Sequence, residues 1–357
     1  TSYFEVFYAW SRVHLKSVFG NILKEIYPRL SVFVLLTAVG LGFIDKKDFV
    51  WWLTGLYFLR LILMILYSLS LYIPKFSFKL TNNFREVILY SLYILLAGSA
   101  ASLLIDIDKY MIPQKQAISQ TAYYAVGVFI ATVVEIPGRA MFQILNPMVA
   151  KALNKKNFKE LDSLYRKSSK NLLIICGFFF LLINLNIDSF YQLMNNELYS
   201  GATFVVFIIS SAKLIQMSFG CGPAILATSS FYKITLPFSI SMAISVYLLN
   251  DYLIDIYGIN GAAISTLIVI GFFTVVKVFY IKNKLQIQPY NIESLKIIIL
   301  IFTIFLVVKQ VSITLNPLIE IFLKSIITFI IYFVLISIFK LSSDLNNVLK
   351  SFVKKIN

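Results

Sequence analysis

Histidine and cysteine are nearly absent, with one and two among 357 residues. His14 has no Cys or carboxylate cluster beside it at metal-ligand spacing, so neither a metal nor another cofactor is expected. Cys176 and Cys221 lie in apolar stretches and form neither a CxxC pair nor a disulfide framework. Charge is also scarce. Only 14% of residues are Asp, Glu, Lys or Arg, against about 25% in a soluble domain. Acidic residues are the rarer sign, 17 against 32 basic, for a formal net charge of +15. What fills the space is apolar: 59% of the chain, with mean hydropathy +0.82. A water-soluble core cannot enclose that much, because surface grows too fast with size. An ordinary cytosolic enzyme, a disordered chain and a nucleic-acid-binding domain are thereby excluded. The basic excess bears instead on membrane sidedness.

A membrane helix needs about 20 mostly apolar residues. Runs of that kind fall near 29–44, 49–73, 86–105, 119–147, 171–190, 199–227, 231–250, 258–281, 294–314 and 319–340. Polar and turn residues separate them, such as Asp45-Lys46-Lys47-Asp48 and Asn250-Asp251. The sequence therefore predicts an all-α integral membrane protein of about ten spans. If the N-terminal end is cytoplasmic, the 32 Lys and Arg residues divide into about 24 inside, about 5 outside and about 3 within spans, the positive-inside asymmetry. Both ends of the chain then lie in the cytoplasm. No outer loop has room for a catalytic domain. The longest polar stretch, 148–170, reads as a cytoplasmic amphipathic helix, with Phe158, Leu161, Leu164 and Tyr165 at helical spacing. Its lysines would face anionic headgroups.

Several segments carry a resemblance. Leu104-Ile105-Asp106-Ile107-Asp108-Lys109-Tyr110 leads into Ala122-Tyr123-Tyr124-Ala125-Val126-Gly127. Glu135-Ile136-Pro137, Asn146-Pro147-Met148 and Leu161-Asp162-Ser163-Leu164-Tyr165-Arg166-Lys167 follow, and later Tyr257-Gly258-Ile259-Asn260-Gly261-Ala262-Ala263. In order and spacing these resemble the bacterial polysaccharide (O-antigen and capsule, Wzx-like) flippases. Their superfamily also holds multidrug and toxic-compound extrusion transporters and the lipid II flippase. The resemblance runs from about residue 10 to about 290. It implies part of a two-lobed transporter of twelve to fourteen helices. Residues 1–80 would close the N-terminal lobe as helices five and six, 81–285 would form the C-terminal lobe, and 286–357 the final helix pair and tail. About four N-terminal helices would then be missing. The opening run Tyr3-Phe4-Glu5-Val6-Phe7-Tyr8-Ala9-Trp10, which reads as the tail of a helix, fits that expectation.

Ionisable groups inside spans are costly, about 2.5–3.5 kcal/mol on insertion scales, and usually face a bundle interior or a cavity. Arg60 lies about 16 Å into its span and Lys213 about 21 Å into its own. Each is a candidate for substrate binding or for a structural ion pair. On the implied arrangement they come from opposite lobes and would suit a pyrophosphate between them. Neither has an acidic residue three or four positions away in its own helix. The expected partner is a substrate phosphate or a carboxylate on a missing helix. Glu135 and Arg139 stand four apart across Pro137. They form either a structural pair, or an ion-coupling carboxylate beside a headgroup-binding cation. Asp106 and Asp108 close a span as a solvated terminus, or as an outer gate with Lys109 or with the missing lobe. Lys277 and Lys309 are near enough to span ends to snorkel and are set aside. Gly220-Cys221-Gly222-Pro223 breaks a span, as a hinge, a site or a packing kink.

The expected function is translocation of a polyprenyl-diphosphate-linked oligosaccharide across the bacterial cytoplasmic membrane, by alternating access, for surface polysaccharide synthesis. The partners would be that lipid-linked substrate, the bilayer and polysaccharide assembly proteins, not nucleic acid. The alternatives are cation-coupled multidrug export, a membrane polysaccharide polymerase and a structural scaffold. An enzyme would need acid, base or metal-binding groups on sizeable outer loops, and a scaffold gains little from charges at mid-depth.

Overall fold

The computed structural model describes residues 2–14, 16, 18–73, 83–194, 201–310, 316–339 and 341, without the side chains of 101–105. Helices make up the regular structure, and no strand occurs among the described residues. Lipid dictates this, because each backbone N–H and C=O must find its partner inside the segment that crosses. The chain divides into two compact units, Thr1–Phe84 and Arg85–Asn357.

The first unit holds α1 (Ser2–Val13), α2 (Val18–Asn21), a π-turn (Ile22–Ile26), α3 (Tyr27–Gly40) and α4 (Phe49–Leu71). Phe4, Tyr8, Leu23 and Met64 form its core. The Ser68 hydroxyl ties α4 to α1 by donating to the Phe7 carbonyl at 2.8 Å. The π-turn immediately precedes the first turn of α3, where Pro28 stands. A proline there donates no N–H and crowds the carbonyl four residues earlier, which a wider turn relieves. Trp51 and Trp52 are exposed at the start of α4, where amphipathic rings suit a membrane interface.

The second unit begins with α5 (Phe84–Lys115) and α6 (Ile118–Ala131). A 3₁₀ turn (Thr132–Glu135) joins α6 to α7 (Ile136–Asn154). Next come α8 (Phe158–Leu193), α9 (Thr203–Ser218), α10 (Gly222–Thr228), α11 (Thr235–Tyr257), α12 (Ile259–Leu285), α13 (Ile292–Lys309) and α14 (Pro317–Ile338). At 36 residues, α8 is about 54 Å long. It packs against α7, α9, α13 and α14. Leu173, Phe180, Leu181, Ile301 and Tyr332 lie in the shared core. The Asn157 side chain caps α8 by accepting from the Glu160 N–H at 3.2 Å.

A separate amphipathic helix over 148–170 is not found. Residues up to Asn154 finish α7, and those from Phe158 continue unbroken into the apolar part of α8. Leu161 and Tyr165 are fully buried against neighbouring helices, so their helical spacing reflects intramolecular packing.

Among the described residues, six helical stretches are long and apolar enough to cross a membrane: 49–71, 118–154, 158–193, 232–257, 259–285 and 317–338. There are seven if α9 and α10, bent by 56° at their junction, make one broken span. Large apolar side chains such as Phe322, Phe329 and Ile330 stand exposed along α14. The protein is an all-α membrane protein.

Two glycines set the geometry around the site. Gly220 has φ +60°, and a Cβ there would lie 2.7 Å from the Ser169 backbone nitrogen. The break is pinned on both sides: Ser169 Oγ donates to the Ser218 carbonyl at 2.5 Å, and the Cys221 N–H donates to Ser168 Oγ at 3.0 Å. Gly261 lets α12 start hard against α11, since a Cβ there would lie 2.0 Å from the Leu253 carbonyl oxygen.

Candidate functional site

The second unit holds a cavity of about 310 Å³, walled by α5, α6, α9, α10, α11 and α12. Its charged lining groups are Asp108, Lys213 and Lys277. The three differ in how their charge is met.

Asp108 lies within α5, which does not end near residue 105 but continues to Lys115. Only 3% of Asp108 is exposed. Its carboxylate accepts from the Tyr124 hydroxyl, from Asn250 Nδ2 at 2.6 Å and from Thr266 Oγ1 at 3.0 Å. Ser265 Oγ donates to Asn250 Oδ1, which fixes the amide with its nitrogen toward the carboxylate. Four helices, α5, α6, α11 and α12, thus meet on one acid. A solvated helix terminus describes Asp106 and not Asp108: Asp106 is exposed and pairs with Lys109 at 2.9 Å. The two aspartates are two residues apart and face different environments, as helical spacing requires.

Lys213, on α9, does have a carboxylate partner on this chain. Its Nζ lies 3.0 Å from Glu135 Oε2. The expected partner, a substrate phosphate or a carboxylate on a missing helix, is therefore corrected to Glu135. Glu135 also accepts from Arg139 through Oε1, so one carboxylate bridges two cations. The Lys213 and Glu135 side chains are about equally shielded, 13% and 14% exposed, whereas Arg139 is 57% exposed. The 3₁₀ turn that ends at Glu135 puts the acid at the corner before Pro137. The structural pairing of Glu135 with Arg139 is present, extended by a lysine from another helix.

Lys277, on α12, lines the cavity, although its distance from the span end suggests a snorkelling lysine. Its position explains this: eight residues before the helix end at Leu285, it lies about 12 Å along the axis, within a lysine's apparent reach of an interface. Its Nζ instead sits 3.2 Å from Met242 Sδ, and no carboxylate lies within ion-pair distance among the described residues. The signal that could have found it is the polar series Ser265, Thr266 and Thr274, which puts hydroxyls on α12 on the approach to the lysine.

Beyond the cavity, Lys115 at the end of α5 reaches α11. It pairs with Asp251 at 2.7 Å and Asp255 at 2.8 Å, and its hydrogen bonds to them hold its ammonium above the usual lysine range.

Arg60 belongs to the first unit. It is 7% exposed, its guanidinium stacks 3.8 Å from the Phe4 ring centroid, and its Nε has no hydrogen-bond partner among the described residues. A smaller hollow of about 220 Å³ adjoins it, lined also by Thr54 and Tyr57.

Compared with known proteins, the chain matches no family model and no curated relative.

Proposed function

We propose that this protein flips a polyprenyl-diphosphate-linked oligosaccharide across the cytoplasmic membrane by alternating access, as a member of the polysaccharide flippases. In this reading ten helices cross the bilayer within a two-lobed bundle, and both ends of the chain face the cytoplasm. The observation that carries it is the cavity in the second unit, where two ammonium groups face a space inside a membrane domain. Lys213 has Glu135 beside it, but Lys277 has no carboxylate within ion-pair distance among the described residues; a buried cation needs a counter-charge, and the headgroup of such a lipid is a diphosphate. Arg60, shielded and with a free Nε, supplies a further anion-binding group in the first unit. Arg139, more exposed, meets headgroups at the membrane edge.

Coupling falls to Asp108 rather than Glu135. Glu135 already bridges two cations. Asp108 has three partners, each a neutral donor, so its charge in the membrane interior calls for a proton or a cation. The same buried acid favours a second reading, cation-coupled export of drugs. Expression of the encoding gene in a strain lacking its polysaccharide flippase tests both. Restored surface polysaccharide without added drug resistance supports flipping. Drug resistance without polysaccharide supports the exporter.

A further inference from the structure

We infer that Lys277 is the principal phosphate-binding residue of the cavity, with Lys213 as the second cation, recruited from Glu135 when an anion enters. The identity of the substrate rests on the flippase reading; the anion seat itself rests on charge and position.

Three charged side chains line the space. Asp108 is committed to Tyr124, Asn250 and Thr266. Lys213 is committed to Glu135 at 3.0 Å. Among the described residues Lys277 has only the Met242 sulfur at 3.2 Å, a weak acceptor with no charge. It is, among the described residues, the one cation of the lining without a carboxylate at ion-pair distance, and an entering anion gains most beside it. Neutral donors complete the seat: Ser239, Thr274 and Gln216 share the lining and can each donate to a phosphate oxygen. The cavity, of about 310 Å³, has room for a diphosphate. Glu135 keeps Arg139 as partner when Lys213 turns to the anion, so the exchange leaves no carboxylate bare.

The test measures binding of a short-chain polyprenyl diphosphate, and of inorganic pyrophosphate, to the protein in phosphatidylcholine nanodiscs. Lys277→Met should weaken binding at least tenfold. Lys277→Arg should stay within about threefold of the wild type, because the charge survives. Lys213→Met should weaken it by less than Lys277→Met. Both anions binding through Lys277 with similar affinity would assign the seat to phosphate in general; tighter binding of the lipid form would assign it to a lipid headgroup. Wild-type affinity in Lys277→Met overturns the inference, as does equal loss in the Arg and Met variants, which would mark a packing role. Polysaccharide export separates this from the functional reading. Anion binding that depends on Lys277, in a protein that restores no polysaccharide, removes the flippase and keeps the seat. Export restored equally by wild type and Lys277→Met removes the seat and keeps the flippase.

Discussion

Glu135 concentrates the electrostatics of the second unit in one side chain. Its neutralisation by Lys213 and Arg139 means that removing it strands a shielded lysine. Breaking a buried pair by deleting one partner costs about 3–5 kcal/mol, and residual exposure places this case toward the low end. Glu135→Gln should therefore lower the thermal midpoint clearly, and adding Lys213→Met should recover part of the loss. A double-mutant cycle measured by thermal unfolding in detergent reads the coupling directly. Arg60, Lys213 and Asp108 were legible as residues of interest because few charges occur in the apolar stretches. Their partners were not. Glu135 and Lys213 lie on different helices, and so do Asp108, Tyr124, Asn250 and Thr266. Only packing brings them together, and no local spacing encodes it. Lys277 was missed for the converse reason: distance from a helix end says how far a side chain must reach, not what surrounds it.

The helical, apolar character of the chain was readable, because lipid demands long apolar runs, but of the roughly ten expected spans six or seven are long and apolar enough among the described residues. The helix ends were less readable. The cluster of Asp106, Asp108 and Lys109 looked like a terminus, yet α5 carries on to Lys115 since Asp108 is satisfied from three other helices. The break at Gly220 was visible as Gly-Cys-Gly-Pro, and its fixed geometry is now explained by Ser168 and Ser169. Gly220→Ala would combine a positive φ with a Cβ 2.7 Å from backbone. A loss above about 1 kcal/mol is expected, seen as a lower thermal midpoint, whereas Gly271→Ala, where a Cβ meets nothing within 4 Å, should unfold no earlier than the wild type. A second element-level contact joins α8 to α13 through Lys170 and Glu293 at 2.8 Å. The hydrogen bond from Lys170 holds the Glu293 carboxyl below its usual range. Its contribution is therefore full above the unfolded carboxyl pKa of about 4.3 and disappears as pH falls through the lower folded value. With both side chains partly solvated, it is worth at most about 1 kcal/mol. Glu293→Gln should melt slightly earlier than the wild type at pH 7, and the gap should close below about pH 4.

At the scale of the whole molecule, the proposed carrier would draw on an apolar exterior, a largely apolar cavity that holds a few charged groups, and one acid on which four helices meet. In the proposed function the cavity would offer its cations to a diphosphate, and Asp108 would be the acid whose charge changes. The resulting claim concerns sidedness: substrate made on the inner leaflet must arrive on the outer one. The most direct measurement uses spheroplasts of a flippase-deficient strain that expresses the encoding gene, probed with a membrane-impermeant lectin for lipid-linked oligosaccharide on the outer face. The account predicts strong outer-face labelling with the wild type, and labelling near background with Asp108→Asn at equal protein level in the membrane. Wild-type protein abundant in the membrane with no outer-face oligosaccharide, or Asp108→Asn labelling as strongly as the wild type, would contradict it.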